Sequence, residues 1–233
     1  MPAQSPALPQ AVLWDLDGTL INSEPLWIGA EKRVMAAHGL AWSDEDALQM
    51  VGMALLDSAQ ILRDAGLDWE PRAIVDYLVG EVLKGLRAGV EWRPGARELL
   101  LALHEAGVPQ ALVTMSERPL ADALIEGLGM NPFDAIVTGE TVERGKPDPL
   151  PYLRGVELLE AKHGQLDVRS CVALEDSRPG TASALAADLV TVGIPFVVGL
   201  PRLADLNLLM TLEGVTPEDL GQMVADDAAR RVR

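Results

Sequence analysis

The stretch VLWDLDGTL, residues 12–20, places two carboxylates directly after a short apolar run. Val12 to Trp14 predict a buried strand that ends at Asp15, and Asp17 follows two residues later. Carboxylates are costly to bury and repel one another at short range. The pair is therefore either an ordinary turn or is held together by something positive, and the rest of the chain decides between these interpretations.

The composition is typical of a globular protein with one large domain or two smaller ones. The chain has 233 residues, of which 48% are hydrophobic and 23% charged, and its formal net charge is -16. Because this charge would repel phosphate backbones and anionic lipid headgroups, we expect neither a nucleic acid nor a membrane as partner. Cys171 is the only cysteine and lies in an apolar run, so it is interpreted as a core residue.

The first ten residues contain neither a basic segment nor a long apolar core, so no secretory signal is predicted. The most apolar later stretch, residues 189–200, is interrupted by Gly193 and Pro195 and is too short to span a bilayer as a helix. We therefore expect a cytoplasmic protein. The sequence shows no self-association pattern, so a monomer is expected, with a dimer as the alternative.

The order of the predicted elements is typical of an α/β fold with a parallel sheet, because strands and helices alternate with short connections. One more apolar segment follows at residues 206–210. Strands are predicted at residues 12–14, 110–114, 135–138, 171–174 and 189–192. Helices are predicted at residues 26–38, 55–66, 74–86, 94–107, 119–128, 150–162 and 181–187, and after residue 216.

Only helical patterns appear between residues 41 and 88, before the second predicted strand. An insertion of roughly seventy residues is too long for a loop, so it predicts a second, helical subdomain over one end of the sheet. We assign residues 1–21 and 92–233 to a Rossmann-like catalytic core, a parallel sheet with helices on both faces, and residues 22–91 to an inserted helical cap.

Polar residues follow the predicted strands at the points where the strands end. The carboxyl ends of parallel strands lie at one edge of a sheet, which is where such sheets bind ligands. Singly, each residue has a simpler explanation, since Asp-Gly favours turns and a hydroxyl after a strand often caps a helix. Together, four acids at one edge would repel one another unless a cation lay among them. The residues at this edge are Asp15, Asp17, Thr114, Ser116, Lys146, Glu175 and Asp176.

Oxygen ligands of this kind favour Mg²⁺ over Zn²⁺, and the combination indicates phosphoryl chemistry. A carboxylate can attack phosphorus and form an aspartyl-phosphate, while Mg²⁺ and Lys146 offset the negative charge. Two neighbouring acids then take separate roles, one as the nucleophile and the other as the acid and base. The expected partner is a small phosphorylated metabolite.

The chain closely resembles the haloacid dehalogenase superfamily in four motifs, whose order and spacing agree over nearly the whole sequence. The helical insertion after the first motif resembles the cap of the subfamily that includes phosphoglycolate phosphatases, sugar-phosphate phosphatases and β-phosphoglucomutases. The four stretches are DLDGTL (residues 15–20), LVTMS (residues 112–116), GKPDP (residues 145–149) and LEDS (residues 174–177).

The resemblance implies a Mg²⁺-dependent phosphatase that works through an aspartyl-phosphate. It makes Asp15 the nucleophile, and it makes Asp17 the general acid and base whose main-chain carbonyl binds the metal. Thr114 is expected to bind the transferring phosphoryl group, and Lys146 is expected to bridge that group and Asp15.

The same resemblance completes the metal site and the phosphoryl site. Asp176 is expected to join Asp15 and Asp17 at Mg²⁺, with Glu175 either a ligand itself or a residue that holds one. The backbone near Met115 and Ser116 is expected to help bind the substrate. Met115 departs from related phosphatases, which often carry a polar residue such as Asn at this position, and a thioether cannot replace those hydrogen bonds.

Five residues in the predicted cap and the loop before it are candidates to line a substrate pocket. The apolar ones are also explained as core or hinge packing. A pocket lined by them would be largely apolar, which favours a small organic monophosphate over a bisphosphate. The five are Glu24, Trp27, Gly52, Met53 and Leu55.

Other activities of the superfamily are weighed from single residues. Dehalogenases usually lack the second aspartate, which is present here as Asp17, so dehalogenation is not expected. Phosphonatases use a cap lysine to form a Schiff base. Lys84 lies in the predicted cap, but it is better explained as a solvated surface residue. Mutases need a cap arginine where this chain has Leu55 or Leu56. A sugar-phosphate mutase of the β-phosphoglucomutase type and a non-catalytic regulatory protein on the same fold are the alternatives to the phosphatase.

Overall fold

The computed structural model describes residues 7–231. The first six residues and the last two lie outside this range, so most of the N-terminal segment, for which no secretory signal is predicted, is not among the described residues. Within the described range the fold is a parallel α/β sheet with helices on both faces, as predicted.

One six-stranded sheet forms the centre of the protein, in the order β3-β2-β1-β4-β5-β6. Every neighbouring pair of strands is parallel. The sixth strand lies in the segment for which the sequence predicted only apolar character. The strands are β1 Ala11–Trp14, β2 Gln110–Val113, β3 Ala135–Val137, β4 Cys171–Glu175, β5 Val190–Gly193 and β6 Leu206–Leu208.

The described residues form nine α-helices. Four of them, α1–α4, fall between β1 and the helix that leads into β2. They are α1 Glu24–Ala37, α2 Asp44–Leu48, α3 Leu55–Asp64, α4 Pro71–Ala88, α5 Ala96–Glu105, α6 Arg118–Leu128, α7 Leu150–His163, α8 Arg178–Ala186 and α9 Pro217–Arg231.

Strand β1 lies at the middle of the sheet and is fully buried on both faces. Its alternating side chains enter two apolar clusters, because successive residues of a strand point to opposite faces. Val12 and Trp14 belong to the cluster that includes residues of α5, α6 and α9, whereas Ala11 and Leu13 belong to the cluster that includes residues of α7 and α8. This burial explains why the strand reads as a continuous apolar run.

Predicted element bounds differ from the structure by a few residues, and the reasons are local. Helix α8 begins at Arg178 rather than at Thr181, because the Ser177 hydroxyl accepts a hydrogen bond from the Gly180 amide and caps the first turn. Helix α1 begins at Glu24 rather than at Leu26, with a proline in its first turn.

Two neighbouring segments of the chain connect the inserted helices to the sheet domain. Ile21 and Trp92 form an antiparallel bridge, so the chain leaves and returns at neighbouring points. One apolar cluster continues from α1, α3 and α4 into the sheet. The bridge supports the division into a core of residues 1–21 and 92–233 and a cap of residues 22–91, which stays a prediction.

Two glycines at the ends of α5 offer a test of this packing. Both have positive φ, 77° at Gly95 and 70° at Gly107, but a Cβ on Gly95 would lie 2.1 Å from the backbone carbon of Leu212, whereas a Cβ on Gly107 would meet nothing within 4 Å. We expect Gly107→Ala to lower the free energy of unfolding by about 1 kcal/mol through backbone strain alone. Gly95→Ala should lower it by about 3 kcal/mol because a clash adds to the strain.

Urea unfolding of the two variants and the parent protein measures the difference. Equal losses at the two glycines would contradict the close approach of the residue 212 segment to α5.

Candidate active site

Lys146 is the buried centre of the site. Its Nζ donates hydrogen bonds to Asp15 Oδ1 at 2.7 Å, to Glu175 Oε1 at 2.6 Å and to the Val113 carbonyl at 2.9 Å. Its side chain is only 2% exposed. Since an ammonium has three donors, all of them are used here, and each goes to the end of a different strand.

Glu175 is saturated with hydrogen bonds. Its Oε1 accepts from Lys146 and from the Tyr152 hydroxyl at 2.7 Å, and its Oε2 accepts from the Ser177 hydroxyl at 3.2 Å. Gly180 packs against the same carboxylate, where a Cβ would lie 2.0 Å from Oε2. The structure thus holds Glu175 in one position, and Glu175 in turn holds the ammonium beside Asp15.

Three carboxylates converge beside this lysine. One oxygen each of Asp15, Glu175 and Asp176 lies within 4.8 Å of the others, and all three residues are buried. Gly18 packs directly against Asp176, since a Cβ there would lie 2.0 Å from Asp176 Oδ2. A set of hard oxygen donors in a tight cluster fits a divalent cation of the Mg²⁺ or Ca²⁺ type.

The single positive charge of Lys146 does not offset the negative charges of all the carboxylates in this cluster when they are ionised. Burial raises the pKa of Asp15 to about 7, and nearby carboxylates add to the rise although Lys146 opposes it. Burial, with the charges of Asp15 and Glu175, also raises the pKa of Asp176 well above its usual value. One lysine faces several acids, so a divalent cation would restore the ionised state of the carboxylates.

Asp17 accepts hydrogen bonds from both the inserted helices and the core. Ser23 Oγ and Trp27 Nε1 donate to its Oδ1 at 2.5 and 2.9 Å. Ser116 Oγ donates to its Oδ2 at 2.6 Å, and Thr114 Oγ1 makes a longer contact of 3.4 Å. A carboxylate with this many donors is held in one orientation, and two of the donors come from Trp27 in α1 and from Ser23, the residue that directly precedes this helix.

The motif after β2 is ordered by its own side chains. The Ser116 amide donates to Thr114 Oγ1 at 2.9 Å, and the Ser116 hydroxyl contacts Asp17 rather than capping α6. The Met115 sulfur accepts the Lys146 amide at 3.3 Å, and it lies so close to Gly145 that a Cβ there would be 2.8 Å away. Met115 therefore packs the second motif against the third, a role that the sequence did not predict.

A cavity of about 60 Å³ lies between these residues and the inserted helices. All the predicted catalytic residues line it, as do the five predicted cap residues. Glu175 is the one predicted site residue that does not, because it lies beneath Lys146. The cavity-lining residues that the sequence did not predict are Glu31, Ala47, Met50, Val51, Ser58, Leu78 and Ser177.

Glu31 was missed although the sequence contains a signal for it. Glu24, Trp27 and Glu31 are spaced three and four residues apart, so all three lie on one face of α1. That face is buried, and Glu31 is only 5% exposed. Two acids on the buried stripe of a helix are unusual, and this pattern could have marked the residue.

Residues that were set aside as structural lie away from the cavity. Lys84 is 76% exposed on its side chain and pairs with Glu81, so the surface interpretation is confirmed. Cys171 is fully buried in β4, and burial raises the pKa of its thiol to about 12. No helix within residues 7–231 combines the length and apolar character needed to cross a membrane.

Comparison with known families agrees with this geometry. Residues 12–194 match the family model described as haloacid dehalogenase-like hydrolase. The chain belongs to this family. The matched region begins in β1 and ends just after β5, so it contains all four motifs.

Several named relatives in this family are phosphatases, and the chain is a phosphatase enzyme. Hexitol phosphatase A of Escherichia coli is 34% identical over 207 residues, which cover 88% of this chain and 92% of the relative. Phosphoglycolate phosphatase of Rhodospirillum rubrum is 33% identical over 201 residues, which cover 82% of this chain and 79% of the relative.

The solved structures confirm the fold. The crystal structure of CbbY from Rhodobacter sphaeroides in complex with phosphate matches with a TM-score of 0.79 and 26% identity, covering 89% of this chain and 96% of CbbY. Phosphatases of this family use a divalent metal, and the clustered carboxylates that such a metal needs are present here.

The Trp27 hydrogen bond to Asp17 gives a testable prediction. Trp27→Phe keeps an aromatic ring and removes the donor, so we expect kcat on an aryl phosphate to fall by about tenfold, the effect of losing one hydrogen bond to a charged group. Trp69→Phe is the matched control, because the Trp69 indole N–H makes no hydrogen bond among the described residues and packs against His38 and Tyr77.

Steady-state kinetics of both variants at saturating substrate measures the effect. If kcat of the Trp27 variant equals that of the Trp69 control, the indole does not orient Asp17 for catalysis.

Proposed function

We propose that the protein is a Mg²⁺-dependent phosphatase that hydrolyses a small organic phosphomonoester, a sugar phosphate or similar metabolite, through an aspartyl-phosphate on Asp15. The observation that carries the proposal is the contact of the buried Lys146 ammonium with Asp15 Oδ1 beside the clustered carboxylates. This arrangement holds a nucleophilic carboxylate next to positive charge at the carboxyl ends of the strands.

In the first step, Asp15 attacks phosphorus with the oxygen that Lys146 leaves free of a hydrogen bond. The bond between phosphorus and the ester oxygen breaks as the new bond to Asp15 forms. The Lys146 ammonium lies beside Asp15 and offsets the negative charge of the phosphoryl group, while the Thr114 hydroxyl lies where it can bind a phosphoryl oxygen, and both residues line the cavity. Asp17 donates a proton to the departing oxygen, which leaves as an alcohol.

In the second step, a water molecule attacks phosphorus on the opposite side. Asp17, now ionised, takes a proton from that water, and the bond between phosphorus and Asp15 breaks to release inorganic phosphate. The four donors around Asp17 support this assignment, because they hold its carboxylate in one position at the edge of the cavity.

Mg²⁺ would be held by Asp15, Asp176 and the main-chain carbonyl of Asp17, and when bound it supplies positive charge that offsets the phosphoryl oxygens. Glu175 is proposed to act indirectly, because both of its oxygens already accept hydrogen bonds from protein donors. Its role is to keep Lys146 charged and in place.

The mutase alternative is not supported by the cavity. A mutase must hold a second phosphate, yet Lys146 is the one cation among the described residues that line the space. A mutase would carry an arginine at the position of Leu55 or Leu56. Leu55 lines the cavity but has no charge, and Leu56 is 56% exposed. The complete set of catalytic residues also disfavours a purely regulatory protein. A cytoplasmic location and a monomer, with a dimer as the alternative, stay predictions.

The nucleophile assignment is tested with Asp15→Asn. An amide cannot form the acyl-phosphate, so we expect turnover of an aryl phosphate to fall by at least about a thousandfold. Asp205→Asn is the control, because Asp205 is exposed and makes no ion pair among the described residues, and it should keep parental activity. Parental turnover by the Asp15 variant would overturn the assignment.

The metal proposal is tested by removal and replacement. We expect EDTA to abolish activity and Mg²⁺ to restore it, because the clustered carboxylates need a cation to stay ionised together. Asp176→Asn should raise the Mg²⁺ concentration needed for half-maximal activity by about tenfold or more, the effect expected of losing a metal-site group. Full activity of the stripped protein in the presence of chelator would refute a role for the metal.

A further inference from the structure

Two buried acids on α1 line the cavity in addition to the carboxylates of the catalytic cluster. Glu24 and Glu31 are 7% and 5% exposed, and both line the space that faces Asp17. Seven residues apart, they lie on the same face of α1. Neither one is needed for the attack or for the proton transfers of the proposed mechanism.

The hydrogen bonds of these two acids are incomplete. Glu24 makes no side-chain hydrogen bond within residues 7–231, and Glu31 accepts one, from Trp42 Nε1 to Oε2 at 3.1 Å. Buried polar groups in folded proteins are almost always paired. The free oxygens of Glu24 and Glu31 are not enclosed by protein but are open to the cavity, so a ligand bound there can supply their hydrogen-bond partners.

No positive charge reaches this end of the cavity. Lys146 is the one cation among its described lining residues, and its three donors are used by Asp15, Glu175 and the Val113 carbonyl. A negatively charged group placed beside Glu24 and Glu31 would be buried without a counter-charge, which disfavours its binding.

We propose that Glu24 and Glu31 form a specificity site that binds a neutral, hydroxyl-bearing leaving group and rejects an anionic one. This inference rests on the proposed phosphatase function and narrows its substrate class. The hydroxyls of the leaving group would supply the partners that the two acids lack. Glu31 determines the discrimination because it lies farther along α1 from the catalytic aspartates than Glu24.

The surroundings favour a hydroxyl over an ammonium group. Burial raises the pKa of Glu24 to about 8 and that of Glu31 to about 7, so both groups exchange a proton near neutral pH. A carboxyl group in this range can both donate and accept, which suits a hydroxyl, whereas an ammonium only donates. The apolar side chains of Met50, Val51 and Leu78 line the same space and suit the carbon chain of such a group.

Three phosphate esters of nearly the same size test the proposal: 2-hydroxyethyl phosphate, phosphoethanolamine and phosphoglycolate. They differ in one terminal group, which is a hydroxyl, an ammonium or a carboxylate. We expect kcat/KM of the Mg²⁺-loaded enzyme for the hydroxyl ester to exceed that for phosphoglycolate by at least about tenfold. The ammonium ester should not exceed the hydroxyl ester.

Glu31→Gln then tests which residue sets the preference. The amide keeps the shape and removes the charge, so the hydroxyl-to-carboxylate ratio should fall by about tenfold. Glu45→Gln, on an exposed position of α2, is the control and should leave the ratio unchanged. If the Glu31 variant does not fold, the ratio of the parent enzyme still decides the proposal.

Each outcome has a distinct meaning. Equal kcat/KM for the hydroxyl and carboxylate esters, with an aryl phosphate still hydrolysed, would overturn the specificity site and leave the phosphatase function standing. A tenfold preference for phosphoethanolamine would overturn the hydroxyl assignment in favour of a cation site. No turnover of any ester, including the aryl phosphate, would overturn the proposed function itself.

Discussion

The buried ammonium of Lys146 is the interaction on which the rest of the structure depends. It donates to Asp15 at the end of β1, to Val113 at the end of β2 and to Glu175 at the end of β4. One charge thus ties together the ends of the three central strands. A buried acid without its partner is strongly destabilising, so removing the lysine would leave two carboxylates in an apolar interior. The same contact that holds the fold together holds the proposed nucleophile.

A second constraint joins the inserted helices to the chemistry. Asp17 accepts hydrogen bonds from Ser23 and Trp27 at the beginning of α1 and from Ser116 after β2. Because α1 also carries Glu24 and Glu31, the same helix contacts the residue proposed to transfer protons and presents the acids proposed to select the leaving group. The proposed catalytic and specificity roles therefore meet at one helix.

Most of the fold and the core of the site could be predicted from the sequence, because the strands are continuous apolar runs and each motif follows one. The remainder depends on tertiary contacts that have no local signature. Met115 was noted in the sequence only as a departure from the polar residue of related phosphatases. In the structure its sulfur accepts a hydrogen bond from the Lys146 amide and packs against Gly145. Glu175 was predicted either to bind the metal or to hold a residue that does, and the sequence did not indicate that Tyr152 and Ser177 donate hydrogen bonds to its oxygens. Glu31 was missed because an acid on a helix is usually solvated.

The aspartyl-phosphate is the central claim, and it can be observed directly. A single turnover with Mg²⁺ and an aryl phosphate would be quenched in acid at a series of times, and the digested protein examined by mass spectrometry. The mechanism predicts a phosphoryl group on the peptide that contains Asp15, appearing with the release of the aryl alcohol and decaying as inorganic phosphate forms. Inorganic phosphate that appears together with the alcohol, with no phosphoryl group on the protein at any time, would contradict it.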